Sequence, residues 1–528
     1  MHAIYLLLTG LVTVAAASEV SCAEKAPKVC QGLRRDFGNS TLLPEDESYT
    51  EEVQVPWSAR SWLRPACIFA PLNVQQLSSG LKRIVDHQVE FAMRGGGHMP
   101  ISNASSIGAT GILITSKNMR TLQLSNDRDT LTIGPGLRWS DVYTTLDGTG
   151  VTVLGGRGSP IGVSGLLLGG GVSIFSYEYG LASTNGNIKA YEVCDTPRTS
   201  TSDLKQLTRK NQCVLANGSI TQVTSTNEHA DLFWALQGGG NSFCLVTRFD
   251  LQTRRAPSLM IASPSYGGEE VKQQFIDSVY NFAIKGHNDP KAAVLPVITY
   301  VSGTDGPTYS STLFYNGNTT QPAVLADFLG TVLTPDNSSR SLAPFPMGQY
   351  HQAVVPSFQK GGRSYGSRQR FHMLPIYASK QAMLIAHDMF FELAKATFKE
   401  TRGGIIGFAF NPITSAFLAA TNARPGALQG IDESPACWIE QTYSWADEAD
   451  DKIFDTFISE FNARVRERLE PMGALYPFYY LNEADVGQPV FESYRRGNLD
   501  RLMEIRNKYD PARVFTDLMP GGFKVAAA

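Results

Sequence analysis

The chain has 528 residues, of which 42% are hydrophobic and 48 are glycine, which is enough for two or three domains with a large buried core. Lys and Arg number 46 against 49 Asp and Glu, giving a formal net charge of -3, and no basic run is long enough to follow a phosphate backbone. Composition and charge therefore argue against nucleic acid as a partner.

The N terminus predicts a secretory signal peptide over residues 1–18. An apolar run from Ile4 to Val14 is followed by the small residues Ala15 to Ser18, which suit cleavage. A buried helix or a membrane anchor is the alternative, disfavoured because the run is shorter than a bilayer requires, although Lys and Arg are missing before it. We expect a protein of the secretory-pathway lumen or the cell exterior, whose residues 19–61 form an N-terminal segment.

Glycosylation triplets and cysteines agree with that route. Asn-X-Ser/Thr triplets begin at Asn39, Asn103, Asn217, Asn318 and Asn337. The seven cysteines are an odd number, so at least one thiol stays unpaired in an oxidising compartment. We prefer a local disulfide between Cys22 and Cys30.

Residues 62–255 alternate short β-rich runs with glycine clusters, a pattern typical of an α+β nucleotide-binding domain. Apolar residues at helical spacing predict a helix from Val74 to His87, followed by a strand from Val89 to Met93. The predicted strand therefore ends at the loop Arg94-Gly95-Gly96-Gly97-His98.

One segment, Val193 to Gln212, is polar, lacks periodicity and interrupts a predicted β-hairpin. Two interpretations stay open: a natural surface loop, or a translated unspliced intron, since valine codons begin GT and glutamine can be encoded by CAG. Removal of the segment would take Cys194 with it and leave six cysteines. Sequencing the transcript would separate the two.

Beyond residue 255 the composition changes twice. Over residues 256–475 the glycine clusters thin, and strands such as Ala293 to Val301 alternate with long helices such as Lys380 to Ala396, which predicts a substrate domain. In residues 476–528, Leu499, Leu502, Ile505 and Tyr509 recur at helical spacing. We expect this last segment to pack on the first domain.

Four glycine-rich loops fall within residues 94–241: Gly95 to Gly97, Gly155 to Gly162, Gly165 to Gly171 and Gly238 to Gly240. Glycine lets a phosphate or a flat ring approach the backbone N–H groups closely. A single such loop is more often a structural turn, but four in one region favour a ligand site. His98 follows the first loop directly.

Six motifs carry a family resemblance: RGGGHMP, TIGPGLRWSDVY, GLLLGGGVSIFSYEYGLAS, DLFWALQGGGNSF, YLNEAD and KYDPARVF. Together they resemble the berberine-bridge-enzyme-like FAD-linked oxidases of the vanillyl-alcohol-oxidase superfamily, in a fungal subgroup, over nearly the whole mature chain. The resemblance implies an α+β fold: a two-part PCMH-type FAD-binding domain, and an α/β substrate domain with an antiparallel sheet covered by helices. It also implies FAD as the cofactor.

The resemblance assigns the cofactor contacts. In that family the histidine of the RGGGH loop is bonded to the 8α carbon of the flavin, so His98 inherits this role. Some members add a bond from a cysteine eleven residues before the later glycine triplet; that position is Gly158 here, so a single link is expected. The expected FAD-binding residues are Arg94, Gly95, Gly96, Gly97, His98, Gly155, Gly156, Gly158, Gly162, Gly165, Val246 and Asn482.

The expected catalytic residues are Tyr480 and Glu483, and here the sequence departs from the family pattern. Val172 stands where plant-like relatives carry a tyrosine, Cys244 replaces a glycine, and Glu483 replaces the second tyrosine of YxNY. Tyr480 is expected to be a base or an orienting hydroxyl, with a structural role as the alternative. Glu483 is either an acid–base group in the pocket or a surface carboxylate.

The resemblance implies hydride transfer from a small, lipophilic natural-product intermediate to FAD, and reoxidation by O2 to hydrogen peroxide. We expect a monomer that needs no metal, since the other histidines lack ligand spacing. Three alternatives stay open: an oligosaccharide oxidase, an isomerase or cyclase with a structural FAD, and a non-catalytic FAD-binding protein. A serine hydrolase is disfavoured because the glycine that would end a G-x-S-x-G elbow is replaced by Cys244.

Overall fold

The computed structural model of the protein describes residues 25–184, 186–191, 213–256, 259–336, 339–401 and 403–525. The predicted signal peptide, Cys22 and the segment from Val193 to Gln212 lie outside these ranges. In the described residues, no helix combines the length and the apolar character that crossing a membrane requires.

A small sheet, here called the parallel sheet, leads to the first glycine loop. Its strands in spatial order are Thr41–Leu42, Cys67–Phe69, Ile112–Thr115 and Phe91–Arg94, and the last three run parallel. The amphipathic helix Val74–Asp86 begins as predicted, where the Asn73 side chain accepts a hydrogen bond from the Gln76 N–H. The strand after it starts at Phe91, two residues later than predicted, so Gly95 follows its end directly.

Antiparallel strands complete this first region. A five-stranded sheet has the order Val223–Thr224, Ile188–Tyr191, Phe249–Gln252, Thr130–Ile133 and Leu122–Leu124. A three-stranded sheet joins Ile220–Thr221, Cys213–Val214 and Leu245–Val246, and Arg254–Arg255 pairs with Val151–Thr152. The short helices between them are Tyr49–Val53, Trp139–Leu146, Val163–Leu168, Ser176–Tyr179 and Ala230–Ala235.

An eight-stranded antiparallel sheet, here called the large sheet, forms the second region. Seven strands follow the order Ala343–Pro344, Leu259–Ala262, Thr308–Asn316, Ala292–Val301, Ile405–Ile413, Ala436–Trp445 and Arg368–Tyr377, and Ser265–Tyr266 pairs with the third. Its helices are Val271–Lys285, Met347–Val354, Lys380–Thr397, Ser415–Asn422 and Asp451–Leu469. Helices pack on one face, for example through Phe390 against Phe408 with ring centroids 4.0 Å apart. The expected α+β fold with a helix-covered antiparallel sheet is confirmed.

Single-turn elements join these parts. The 3-10 turns are Gly38–Ser40, Ala59–Ser61, Gly286–Asn288, Ala323–Leu325, Val355–Phe358, Glu448–Asp450, Glu470–Met472, Leu481–Glu483 and Phe491–Ser493. Two π turns, Asp327–Thr331 and Val514–Leu518, are also present. Leu481–Glu483 turns the C-terminal segment into the centre of the molecule.

The N-terminal segment is tied to the parallel sheet by a disulfide. Cys30, in the helix over residues 25–37, is bonded to Cys67, with Cα atoms 5.8 Å apart. The predicted bond between Cys22 and Cys30 is therefore wrong. The strand that begins at Cys67 pairs with Thr41–Leu42 and brings Cys67 against the buried face of the helix, a proximity that spacing along the chain could not reveal.

The C-terminal helix Asn498–Tyr509 lies against helix Ala230–Ala235 of the first region. Its Tyr509 hydroxyl donates to Asp231 Oδ1 at 2.7 Å, and Lys508 Nζ lies 2.6 Å from the other oxygen of Asp231. The end of the chain thus folds back over the region that contains the glycine loops.

Candidate active site

A cavity of about 430 Å³ lies between the glycine loops and the uncovered face of the large sheet. The predicted residues that line it are Gly95, Gly96, Gly97, His98, Gly158, Gly162, Gly165, Val246, Tyr480, Asn482 and Glu483. Both regions and the C-terminal segment therefore contribute to one site.

Two glycine loops approach each other too closely for side chains. A Cβ atom on Gly96 would lie 2.4 Å from the Gly162 Cα atom, and one on Gly162 would lie 2.3 Å from the Gly96 nitrogen. Gly97 adopts a φ of 69°, the left-handed region that favours glycine. Glycine is required here by backbone contact between the loops as well as by exposure to the cavity.

Three predicted contact residues lie behind the cavity wall. Arg94 is fully buried and forms an ion pair with Glu52. Gly155 and Gly156 face the Trp139 ring, because a Cβ on either would lie 2.1 Å or 2.6 Å from its carbon atoms. Among the described residues these three do not line the cavity, and they support the loops that do.

His98 lines the cavity and is held by aromatic packing. Its ring is stacked on Trp57, with centroids 4.5 Å apart and planes 18° apart, and lies 6.1 Å from the Phe371 ring. Its Nδ1 atom is buried and has no hydrogen-bond partner among the described residues. Burial and the nearby Arg138 lower the pKa of His98 to about 3, so the imidazole is neutral at physiological pH.

The residues present fit FAD. The glycine loops offer unobstructed backbone N–H groups, and a Cβ on Gly165 would meet open space at the cavity wall. The buried Nδ1 atom of His98 has no hydrogen-bond partner among the described residues, and contact with a bound flavin would give it one. FAD would be held by the loops around Gly96 and Gly162, beside His98, and would supply a two-electron acceptor.

A buried cluster of charged and amide side chains occupies one end of the cavity. We name Arg157, Asn411, Glu440 and Glu483 the polar cluster. Arg157 donates from Nη2 to Glu483 Oε1 at 2.6 Å and from Nη1 to Asn411 Oδ1 at 2.6 Å, and Asn411 Nδ2 lies 3.3 Å from Glu483 Oε2. Asn411 and Glu440 come from adjacent strands of the large sheet, where Glu440 pairs with Ala409.

Two carboxyl groups of this cluster are affected by the charge of one guanidinium: Arg157 is bonded to Glu483 and acts on Glu440 through its charge. Burial, and after it the neighbouring Glu440, raise the pKa of Glu483 to about 8 although Arg157 acts to lower it. Burial also raises the pKa of Glu440, again opposed by Arg157. Glu483 is only 6% exposed, so of its two predicted positions the surface one is wrong. Near neutral pH the pair retains a proton and can both donate and accept one.

Tyr480 is fixed by two hydrogen bonds to its hydroxyl oxygen. The oxygen accepts from the Val172 N–H at 2.7 Å and from Asn482 Nδ2 at 2.9 Å, while Asn482 also donates to the Leu166 carbonyl at 3.0 Å. Burial raises the pKa of Tyr480 strongly, with Glu483 adding to the effect. The phenol therefore stays protonated, which suits an orienting hydroxyl better than a base.

Three members of the site were not predicted from the sequence. Arg157 was only part of a glycine loop, Asn411 was a polar residue in the apolar strand Ile405–Ile413, and Glu440 was the one charged residue of the strand Ala436–Trp445. A single charged residue inside such a strand is a signal that could have been used, since buried charges need a partner or a function. In the described ranges, no three His, Cys, Asp or Glu side chains converge to hold a metal ion.

Comparisons with known proteins agree with this site. A family profile for an FAD binding domain matches residues 65–201, and a profile described as "Berberine and berberine like" matches residues 479–517. The FAD-dependent monooxygenase prx3 of Penicillium roqueforti is 30% identical over 96% of this chain and 95% of its own. The bifunctional solanapyrone synthase of Alternaria solani is 28% identical over 94% of this chain and 88% of its own.

Solved structures show the same fold at lower identity. The BBE-like 1 protein of Physcomitrella patens has a TM-score of 0.71 at 17% identity, covering 94% of this chain and 100% of its own. Xylooligosaccharide oxidase from Myceliophthora thermophila has a TM-score of 0.67 at 18% identity, covering 96% and 99%. The chain therefore belongs to the berberine-bridge-enzyme-like family of FAD-dependent oxidoreductases.

Proposed function

We propose that this enzyme is a secreted oxidase that removes hydride from a small lipophilic molecule, holds FAD through a single covalent bond to His98, and returns its electrons to O2 to give hydrogen peroxide. The observation that carries the proposal is the polar cluster at the end of an otherwise apolar cavity that also contains His98. Bound FAD supplies the hydride acceptor, and the chain supplies the proton acceptor and the orientation.

The carboxyl pair is the proton acceptor of this proposal. Removing hydride from a C–H bond beside a hydroxyl or an amine also releases a proton, and the ionised member of the carboxyl pair, whose proton affinity is raised by burial, can accept it. Arg157 and Asn411 hold Glu483 in place, and Tyr480 keeps its proton. Glu440 and Glu483 are thus the acid–base groups, and Tyr480 orients the substrate.

A lipophilic substrate is supported by the sheet side of the cavity. Leu295, Val297, Phe371 and Ala409 present apolar surface there. Fungal relatives are named as FAD-dependent monooxygenases and as a solanapyrone synthase, which supports a role in secondary metabolism. An oligosaccharide would need more polar partners on this wall, so the oligosaccharide oxidase is the weaker alternative.

A non-redox isomerase or cyclase is favoured by one observation, the proton-retaining pair of Glu440 and Glu483, which could move a proton without FAD. Anaerobic mixing with a candidate substrate separates the two. An oxidase bleaches its flavin under these conditions and forms hydrogen peroxide when air is admitted. Product formation without bleaching would contradict the oxidase and favour the isomerase.

The covalent bond is tested by acid precipitation of the purified protein. Flavin should stay with the wild-type precipitate and move to the supernatant in His98→Ala. Release from both proteins would contradict the bond while leaving FAD binding intact. Secretion rests on the N-terminal pattern, and N-terminal sequencing of protein from the culture medium checks it: a start near Glu19 is expected, and retention in cells would contradict it.

A further inference from the structure

Within the described ranges, the Nδ1 atom of His98 has no hydrogen bond of the kind that normally orients a functional histidine ring. Its Nδ1 atom is buried with no partner in the described part of the chain, and packing therefore determines the ring orientation. Trp57 provides the stacked contact at 4.5 Å, and Phe371 lies 5.3 Å from Trp57 and 6.1 Å from His98. The three rings form one aromatic group beside the first glycine loop.

Trp57 is itself fixed on two sides. Its backbone N–H donates to the Gly97 carbonyl at 2.9 Å, so the tryptophan and the histidine loop are joined directly. The adjacent Ser58 hydroxyl accepts from the Gln369 N–H at 3.0 Å and donates to the Gln369 carbonyl at 3.3 Å. The N-terminal segment is thereby pinned to the large sheet at the strand that carries Phe371.

Trp57 also closes the back of the site. His98 and Phe371 line the large cavity, whereas Trp57 lines a separate cavity of about 180 Å³ together with Arg138, Phe358 and Tyr365. The indole thus forms a partition with the histidine on one side and this smaller space on the other. Without the indole, the His98 ring would have room to turn away from the large cavity.

We propose that Trp57 is a positioning residue for covalent attachment of FAD: its indole holds the His98 ring with a nitrogen directed at the cofactor. The inference rests on the proposed bond at His98. Holding two reacting groups in place speeds a reaction, because their translational and rotational entropy is lost before the reaction step. A displacement of about 1 Å can lower the rate about 100-fold. The tryptophan touches neither reacting atom and acts through the histidine.

The attachment reaction balances with O2 as oxidant. A bond forms between an imidazole nitrogen and the 8α carbon, while the imidazole N–H and one C–H of the 8α methyl group are broken. The two protons and two electrons released reduce the flavin and then O2, which leaves as hydrogen peroxide. The neutral state of His98 leaves a nitrogen lone pair available for this bond.

Removing the indole should separate flavin binding from flavin attachment. We would purify Trp57→Phe, Trp57→Met and Trp57→Leu, then measure total bound flavin and the share retained after acid precipitation. Total flavin should stay near one per chain, since the glycine loops are unchanged, while the retained share falls about fivefold in the Met and Leu variants. Phe keeps a flat ring and should restore most of the attachment. Met fills the space without providing a flat ring. A lower share of retained flavin in Trp57→Met would therefore report the missing ring and not a packing defect.

Trp234 offers a matched control. It is a half-buried tryptophan that contacts Arg501 at 4.0 Å and lines neither cavity, so Trp234→Leu should retain flavin as the wild type does. Equal retention in wild type, Trp57→Met and Trp57→Leu, measured within minutes of adding FAD to protein that was produced without flavin, would overturn the inference. Release of all flavin from wild type would instead overturn the bond at His98. His98→Ala shows how much flavin is released when that bond cannot form.

Discussion

At the scale of single residues, the polar cluster decides the chemistry of the site. Arg157 neutralises one carboxylate, and the second carboxyl group can stay in an apolar cavity only by keeping a proton. The strongly raised pKa of Glu483 is a consequence of this imbalance, since burial and Glu440 outweigh the guanidinium. The same imbalance ties the stability of the fold to pH.

We expect Glu483→Gln to flatten the loss of stability between pH 4.5 and about 8. A folded pKa of about 8, raised from 4.5, means that the folded chain binds this proton more tightly than the unfolded chain. The corresponding stability is fully present below pH 4.5 and is lost as pH rises through 8. Thermal unfolding midpoints across this range provide the measurement. Glu467→Gln, at an exposed position, is the control, and an unchanged slope in Glu483→Gln would contradict the assignment.

Arg157→Met should be strongly destabilising, because it leaves two buried carboxyl groups without a cation. Removing one partner of a buried pair costs roughly 3–5 kcal/mol. Adding Glu483→Gln to that variant should recover part of the loss, since a neutral amide needs no counter-charge. Urea unfolding of the two single variants and the double variant gives the coupling energy. Simple additivity of the two effects would show that Arg157 and Glu483 do not interact.

At the scale of elements, the glycine loops combine two different requirements. Gly96 and Gly162 are needed because two backbones meet, whereas Gly165, on helix Val163–Leu168, adjoins open space at the cavity wall. A methyl group on Gly96 or Gly162 would collide with the backbone of the other loop. A methyl group on Gly165 would instead occupy space at the cavity wall where a ligand binds. Substitution by alanine should therefore have opposite effects on stability at the two places.

Gly165→Ala should stabilise the flavin-free protein by about 0.5–1 kcal/mol, the usual gain of alanine over glycine within a helix. Its flavin content should fall, because the new methyl group projects at the cavity wall. Gly162→Ala should lower both stability and flavin content, since its Cβ would lie 2.3 Å from the Gly96 nitrogen. Urea unfolding and flavin absorbance on the same preparations test both effects, and matching losses in the two variants would refute the distinction.

Local patterns in the sequence predicted single helices and strands. They could not predict features that depend on how distant strands pair. The start of helix Val74–Asp86 followed from its apolar spacing. Asn411 and Glu440 were missed because the register of two distant strands determines which side chains face the cavity. The disulfide partner of Cys30 was misassigned for the same reason, since strand pairing brings Cys67 to the helix.

At the scale of the whole molecule, contacts distant along the chain hold the site together. The N-terminal segment reaches the large sheet through Ser58 and Gln369, and Arg60 lies 3.0 Å from Asp455 on helix Asp451–Leu469. The same segment supplies Trp57 beside His98. Anchoring of the N terminus thus affects both the two-region arrangement and the cofactor site.

Removing the disulfide should weaken that anchoring. Cys30 and Cys67 are 37 residues apart, and closing a loop of this length stabilises the fold by about 4 kcal/mol through the entropy of the unfolded chain. The Cys30→Ser/Cys67→Ser variant should unfold at a correspondingly lower denaturant concentration. Wild type in strong reductant should approach the variant, while the variant itself should not respond. An equal midpoint for oxidised wild type and variant would contradict this role.

The order in which the cavity walls are synthesised has a consequence for biogenesis. The wall begins with Gly95 to His98 early in the chain and is completed by Tyr480 to Glu483 and by Gly522 and Phe523 close to the C terminus. Chains fold from the N terminus as they leave the ribosome, so the first glycine loops exist for most of translation without the far wall. A cavity with both of its walls therefore exists only after these last residues have been synthesised.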